Sequence, residues 1–172
     1  MSEIHKYDVA VIGAGPGGYA AAFRVADLGK QVILIEKSSE LGGVCLNRGC
    51  IPSKALLHMA KVIEEAKALE QSGVTFGKPQ IDLDAIRSWK ESVVKKLNKG
   101  ISQLVKVRKI KVLQGTAKFD SPTQLSVNPE SNNYQTITFD HCIIATGSRA
   151  SNISGFQTDH PLIINSTGAL KL

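Results

Sequence analysis

The sequence has no apolar run approaching the roughly 18 residues that a membrane-spanning helix requires. Its start, Met1-Ser2-Glu3-Ile4-His5-Lys6, lacks the charged-then-apolar order of a secretory signal. It contains no internal repeat and no low-complexity segment. Cysteine is scarce, with 3 among 172 residues, which excludes a small disulfide-stapled scaffold. The expectation left by these absences is a soluble, cytoplasmic protein without a membrane partner. Acidic residues are also in deficit, 15 against 21 basic ones, for a net charge of +6. Lys95, Lys96, Lys99, Lys106, Arg108, Lys109 and Lys111 account for much of the excess. No nucleic-acid-binding motif accompanies them, so they read as the solvated face and end of an amphipathic helix. Neither a nucleic-acid partner nor a metal site is assigned. What is present is a 42% hydrophobic composition, enough for one sizeable core.

The first third carries a recognisable physical unit. Asp8-Val9-Ala10-Val11-Ile12 is a short apolar strand that enters Gly13-Ala14-Gly15-Pro16-Gly17-Gly18. A helical pattern through Ala20, Ala21, Phe23, Arg24, Val25 and Leu28 follows and ends at Gly29. Gln31-Val32-Ile33-Leu34-Ile35-Glu36 is then a second apolar strand closed by an acid. In such a βαβ unit Gly13 permits the tight turn, Gly15 lets backbone approach a pyrophosphate, and Gly18 lets helix and strand pack closely. Amide groups opening the helix point at the phosphates, aided by the helix dipole. Glu36 can accept hydrogen bonds from a ribose diol, and an acid there disfavours a ribose 2′-phosphate. The unit predicts dinucleotide binding, and by itself leaves FAD and NAD as alternatives.

Residues 37–44 read as a loop. Ala55, Leu56, Met59, Ala60, Ile63 and Ala66 have helical spacing, which fades near Gln71-Ser72-Gly73. A second helix is expected from Asp82 or Asp84, either of which could cap it, with Ile86, Val93, Leu97, Ile101 and Leu104 along one face. Trp89 reads as a helix-packing or core residue. From Val112 the pattern changes to short strands. Gln124-Leu125-Ser126-Val127 and Thr136-Ile137-Thr138-Phe139 alternate like partners in an antiparallel ribbon, with a polar turn over 128–133. Cys142-Ile143-Ile144-Ala145 is an apolar strand in which Cys142 reads as an inert core thiol. It ends in Thr146-Gly147-Ser148, a turn suited to a second backbone contact with a cofactor. The last residues read as the start of a further element, a helix capped by Ser166 or Thr167, as in a chain cut short. The fold class expected is therefore α/β: a Rossmann-like dinucleotide-binding domain with a parallel sheet and a small antiparallel ribbon. Residues 1–150 form that domain, and 151–172 form a connection onward.

Between the two regions lies Gly42-Gly43-Val44-Cys45-Leu46-Asn47-Arg48-Gly49-Cys50-Ile51-Pro52-Ser53-Lys54. In a regular helix, residues five apart have Cα atoms about 8.6 Å apart, whereas a disulfide needs roughly 4.4–6.8 Å. A Cys45–Cys50 bond therefore requires a distorted turn. Gly49 supplies flexibility, and Pro52 removes a helical donor and crowds the carbonyl of Arg48. A strained bond on such a turn is more easily reduced. Cys50, Lys54 and His58 share a helix face, so an ammonium and the positive helix end favour thiolate here. His58 itself reads as a packing or surface residue.

The segment GGVCLNRGCIPSKALLH resembles the active-site stretch of the class I flavin disulfide reductases. With residues 58–69 added, the likeness is greatest to the bacterial dihydrolipoyl dehydrogenase branch, and it extends from Tyr7 to Leu170. The resemblance implies FAD as the dinucleotide, with Gly13, Gly15, Pro16 and Gly17 at its pyrophosphate and Glu36, beside Lys37, at its adenosine ribose. It places Gly43, Val44 and Cys45 along the cofactor and Lys54 near the flavin ring. Ala117 and Thr146-Gly147-Ser148 would touch FAD through their backbones. Cys45 would exchange with substrate and Cys50 would face the flavin. The activity implied is oxidation of protein-bound dihydrolipoamide, carried on an acyltransferase lipoyl domain, through the Cys45–Cys50 disulfide and FAD to NAD⁺. Glutathione- or mercuric-reductase-like chemistry, or a non-catalytic FAD-binding fragment, are the alternatives.

Two positions depart from the family pattern: Arg48 stands where Val is common, and Ala150 where Pro is common. Family members run on for several hundred residues, with a separate NAD-binding domain and an interface domain that makes the homodimer and contributes a His–Glu acid–base pair. The expectation is therefore a truncated portion, inactive alone in NAD-linked turnover.

Overall fold

The computed structural model describes residues 4–128, 135–151, 153–155, 160 and 162–171. In chain order the elements are β1 (Ile4–Ile12), α1 (Pro16–Asp27), β2 (Val32–Glu36), α2 (Gly43–Arg48), α3 (Cys50–Ala68) and α4 (Leu83–Val107). They continue with β3 (Lys111–Gln114), β4 (Ala117–Ser121), β5 (Gln124–Val127), β6 (Gln135–Ile144) and α5 (Ser166–Ala169). Two compact units result. One runs up to Val44 and resumes from Asn98 to Ser148; the other covers Cys45–Leu97 and resumes at Arg149.

The first unit is built on a six-stranded sheet in the order β3-β2-β1-β6-β5-β4. β3, β2, β1 and β6 are parallel neighbours, and β5 and β4 extend the sheet antiparallel. All five residues of β2 are buried, as a central parallel strand covered on both faces should be. The core cluster takes Ala10 from β1, Ile33 and Ile35 from β2, Leu125 from β5, and Ile137 and Phe139 from β6. Alternate positions on each strand supply it, following the two-residue period of the pleat.

The parallel βαβ sheet and the antiparallel ribbon both form, with one difference. The ribbon is not a separate piece, because 135–144 is a single strand rather than two. Ile137 pairs with His5 of β1 on one side and Leu125 of β5 on the other, so β6 belongs to both parts. The polar pair Asp140-His141 breaks the apolar pattern at a place where pairing with β1 keeps one register, from Tyr7–Phe139 to Val9–His141 and on to Ile12–Ile144. β1 likewise begins earlier than its apolar run, since exposed His5 and Lys6 still pair with β6. Of the polar turn over 128–133, only Asn128 lies within the described residues. Its side chain accepts from the Thr116 amide at 2.9 Å and donates to the Gln114 carbonyl at 3.3 Å, fixing the β3–β4 turn.

The last turns of α4 also belong to this unit. Ile101 and Val105 are its buried residues, while Leu104 of the expected apolar face is 44% exposed. Arg108, just beyond the helix, reaches Asp27 of α1 with Nε at 2.9 Å and lies over the Phe23 ring at 4.9 Å. The other basic residues of this region, Lys95 to Lys111, are exposed, in line with a solvated helix face.

In the second unit, α3 ends in a short 3₁₀ turn, Leu69–Ser72, closed by Gly73 at φ +86°. Asp82 is the cap of α4: its Oδ1 accepts from the amides of Asp84 and Ala85, each at 3.0 Å. α5 is a single turn. Its cap is Asn165, not Ser166 or Thr167, because Asn165 Oδ1 accepts from the Gly168 amide at 3.1 Å. Lys90 is buried, with Nζ donating to the Leu170 carbonyl at 2.6 Å, so α4 holds the residues around α5. Among the described residues no helix is long and apolar enough to cross a membrane.

Ile137 is fully buried where β6 joins both halves of the sheet. Ile137→Ala is expected to lower unfolding stability by about 2–5 kcal/mol. Urea denaturation followed by circular dichroism measures this, and a loss below about 1 kcal/mol would remove the shared-strand account of the core.

Candidate cofactor cradle and thiol pair

The cradle forms at the carboxyl ends of β1, β2 and β6. β1 lies between β2 and β6, and the connection through α1 leads only to β2. The strand order therefore reverses beside β1, the place where open parallel sheets leave a crevice. Gly13 turns the chain there with φ +97°, and its amide donates to the Ile35 carbonyl at 2.7 Å. A Cβ on Gly13 would lie 2.3 Å from the Ala145 carbonyl oxygen, and one on Gly18 would lie 1.7 Å from the Gly13 oxygen. The turn, the helix and the end of β6 are thus in backbone contact at positions where no side chain fits. Gly18, expected to let helix and strand pack closely, packs on the turn itself.

Gly15 and Gly43 form the next contact. A Cβ on Gly43, at φ +60°, would fall 2.7 Å from the Gly15 Cα. Gly42, just before it, donates to the Ala14 carbonyl at 2.8 Å. Residues 37–44 are accordingly not loop throughout: Gly43 opens the short helix α2. Pro16 and Gly17 are exposed, and a Cβ on Gly17 would meet nothing within 4 Å. The start of α1 has no side-chain cap, and Pro16 and Gly17 in its first turn are exposed. An anionic group fits that arrangement.

Glu36 ends β2 and is 8% exposed. Its Oε2 accepts from the Ala14 amide at 2.7 Å and its Oε1 from the Ser38 amide at 2.9 Å. A carboxylate has about four acceptor positions, so capacity for two ribose hydroxyls remains. These two amides were not legible in the sequence, because a backbone donor carries no residue signature. Lys37, next to Glu36, is exposed. Val44 is exposed as well, 49% by area. Thr146, Gly147 and Ser148 form an exposed segment after β6, with Gly147 at φ +72° and free space where a Cβ would stand. Ala117 opens β4, pairs with Val127 and is half-buried against the core.

The second unit carries the thiols. α2 and α3 are separate helices broken at Gly49, whose φ −147° and ψ −111° lie outside any helix. Cys45 lies within α2, and Cys50 is the first residue of α3. The deformation inferred from Gly49 and Pro52 is therefore present, as a break between two helices rather than an unwound first turn. Pro52 is buried in the first turn of α3, and the first α3 bond runs from the Ser53 amide to the Gly49 carbonyl at 3.0 Å. Both cysteines are free thiols, Cys45 half-buried and Cys50 exposed.

The Cys45 thiol is held above its ordinary pKa. The largest cause is its hydrogen bond with the Cys50 side chain, followed by burial and by the Cys50 charge. The Cys50 amide and the Lys54 ammonium pull the other way and are outweighed. The ammonium effect expected from the sequence thus has the right sign and does not dominate. Lys54 is exposed one turn beyond Cys50. His58 and Trp89 are both exposed and line an apolar groove with Met59, Ile63 and Ile81, so His58 is a surface residue and Trp89 is not a core residue. Cys142 is half-buried against the sheet core, and burial raises its thiol pKa.

Comparison with known proteins gives a consistent family. Residues 7–172 match the model of the family described as pyridine nucleotide-disulphide oxidoreductase. The chain is 50% identical over all its 172 residues to a dihydrolipoyl dehydrogenase of Vibrio cholerae, covering 36% of that protein. It is 47% identical over 165 residues to a dihydrolipoyl dehydrogenase of Bacillus subtilis, covering 34% of it. It thus spans about a third of the length of such relatives. Among solved structures it resembles the Cu(II) complex of the HOCl-induced flavoprotein disulfide reductase RclA from Escherichia coli. That match has a TM-score of 0.79 at 30% identity and covers 98% of this chain and 35% of the other.

Two outcomes follow from the geometry. Gly43→Ala is expected to destabilise the protein by about 1–3 kcal/mol, since its Cβ would overlap Gly15 at a positive φ. Gly17→Ala, with open space at its Cβ, should leave thermal unfolding within about 0.5 kcal/mol of the parent; equal effects of the two would contradict the close-contact account. In the reduced protein, Cys50→Ala removes the thiol partner that raises Cys45 while keeping the amide that lowers it. The pH of half-maximal Cys45 alkylation by iodoacetamide should therefore fall. An unmoved profile would show that Cys50 does not set the Cys45 titration.

Proposed function

The chain belongs to the pyridine nucleotide-disulphide oxidoreductase family, and we propose that it is the FAD-binding, disulfide-bearing portion of a dihydrolipoyl dehydrogenase. The observation that carries the reading is the thiol pair at the helix break, where Cys45 and Cys50 hydrogen-bond across Gly49. Identity of 50% along the whole chain to a protein of that name supports the choice within the family. Residues 1–150 are assigned to the FAD-binding domain and 151–172 to the connection onward.

In this reading Gly13, Gly15, Pro16 and Gly17 take the pyrophosphate at the uncapped start of α1, and Glu36, beside Lys37, takes the adenosine ribose. Gly43, Val44 and Cys45 run along the cofactor. Ala117 and Thr146-Gly147-Ser148 meet it through backbone, and Lys54 stands near the flavin ring. FAD, when bound, supplies a two-electron acceptor, and NAD⁺ is the terminal oxidant.

The chain's own part is thiol–disulfide exchange. A thiolate of dihydrolipoamide attacks Cys45 Sγ of the oxidised pair. The Cys45–Cys50 bond breaks and the Cys50 sulfur leaves as thiolate. The second substrate thiol, once deprotonated, attacks the substrate sulfur of the mixed disulfide. Lipoamide leaves with a new S–S bond, and Cys45 departs from it as thiolate. The substrate dithiol is oxidised by two electrons and the cysteine pair is reduced by two. Gly49 keeps the two sulfurs on separate helices, so neither helix must unwind when the bond forms or breaks.

The lipoyl group on an acyltransferase is the substrate carrier, and a cytoplasmic homodimer is the assembly proposed for the whole protein. The NAD⁺ site and the acid–base pair are assigned to the two thirds of such proteins that this chain does not span. A thiol titration tests the reading. Oxidised, FAD-loaded protein denatured without reductant should titrate one thiol of the three cysteines, assigned to Cys142. Three free thiols under those conditions would exclude the redox pair.

A further inference from the structure

We propose that Glu36 builds the glycine turn before any cofactor arrives, and is thus a positioning residue for the pyrophosphate cradle as well as a ribose acceptor. The proposal rests on the dinucleotide reading of that cradle. Ala14, at the tip of the turn, is fully buried, with no exposed surface. Its amide lies 2.7 Å from Glu36 Oε2, and its carbonyl accepts from the Gly42 amide at 2.8 Å. Glu36 is fixed in turn from two other directions. Its Oε1 accepts from the Ser38 amide at 2.9 Å, and its own carbonyl accepts from the Gly115 amide at 2.8 Å. One residue therefore ties together the turn, the segment after β2 and the segment after β3.

A buried amide without an acceptor is costly, and hydrogen bonds to an ionised acceptor are the stronger kind. The Ala14 amide cannot find a strand partner, because the chain reverses at Gly13. The carboxylate is what permits this turn to close dry. Each of its oxygens accepts one amide and retains capacity for another donor. Ribose hydroxyls can therefore bind without displacing Ala14 or Ser38, and the cradle needs no rearrangement on loading. The side chain's length matters. Aspartate is one methylene shorter and cannot reach both amides from the end of β2. Glutamine keeps the length but turns an NH₂ group toward one of the two donors.

Amide hydrogen exchange followed by NMR, on the cofactor-free protein, tests the proposal. In the parent, the Ala14 amide should exchange as slowly as that of Val11 in β1. In Glu36→Gln, the Ala14 or Ser38 amide should exchange at least about tenfold faster, as for loss of one charge-assisted hydrogen bond. Amides of β6 should be unchanged. Glu36→Asp should behave like Glu36→Gln. A parent Ala14 amide exchanging at the unprotected rate overturns the proposal, and so does unchanged exchange at both amides in Glu36→Gln. Should Glu36→Gln not fold, the parent measurement decides. Inorganic pyrophosphate provides a second readout, being a ligand without ribose. Its binding should weaken in Glu36→Gln, whereas a residue that only holds ribose would leave it unchanged or, by loss of a nearby negative charge, tighten it. The exchange result does not depend on FAD, so failure of the flavin reading would appear in flavin titration and leave it standing.

Discussion

Backbone-to-backbone contact around the glycine turn is the constraint on which the sheet unit depends. Gly13 presses on the carbonyl after β6, Gly18 on the carbonyl of Gly13, and Gly43 on the Cα of Gly15. None of these contacts has room for a side chain. Together they bring the end of β1, the start of α1, the start of α2 and the end of β6 to one place. The central position of β1 in the sheet follows the same logic. It pairs in parallel with β2 and with β6, so its carboxyl end is flanked on both sides and only a sharp turn can leave it. That turn leaves helix amides without capping partners, and an anion is the natural complement.

The thiol pair obeys a different constraint, that of helix geometry. Residues five apart on one helix are too distant for a disulfide, and the chain resolves this by ending one helix and starting another. Gly49 absorbs the change in direction, and Pro52 fits the first turn of α3, where its missing amide has no intrahelical bond to lose. The consequence is electrostatic as well as geometric. Close approach lets Cys50 raise Cys45 more than burial or Lys54 alters it.

Most of this arrangement was legible in the sequence because it depends on residue types with strong local signatures. Glycines at fixed spacing, an acid ending an apolar strand and two cysteines around a glycine each have few physical explanations. What was not legible depends on backbone donors and long-range pairing. The continuity of β6 across Asp140-His141 is set by the hydrogen-bond ladder with β1, which side-chain polarity does not reveal. The start of α2 at Gly43 was hidden because that glycine is needed for contact with Gly15, not for flexibility. Asn165 is masked as a cap in the sequence because Ser166 and Thr167 follow it and are capping types too. Burial of Lys90 has no local sequence signal, since its partner, the Leu170 carbonyl, lies 80 residues away.

The acid in the cradle poses an electrostatic question that the hydrogen bonds answer. A buried carboxylate close to the turn that would hold a pyrophosphate should repel it, and an isolated buried charge is costly in itself. Glu36 is not isolated. Two amides donate to it, and one of them belongs to the turn. Their dipoles offset part of its charge, while the start of α1 has no side-chain cap of its own. The negative residue and the positive helix end would thus suit different parts of a dinucleotide, the ribose and the phosphates. The same residue type without those donors would be a poor neighbour for an anion. The identity of position 36 and the shape of the glycine turn are therefore one requirement, met jointly by a side chain and the backbone it holds.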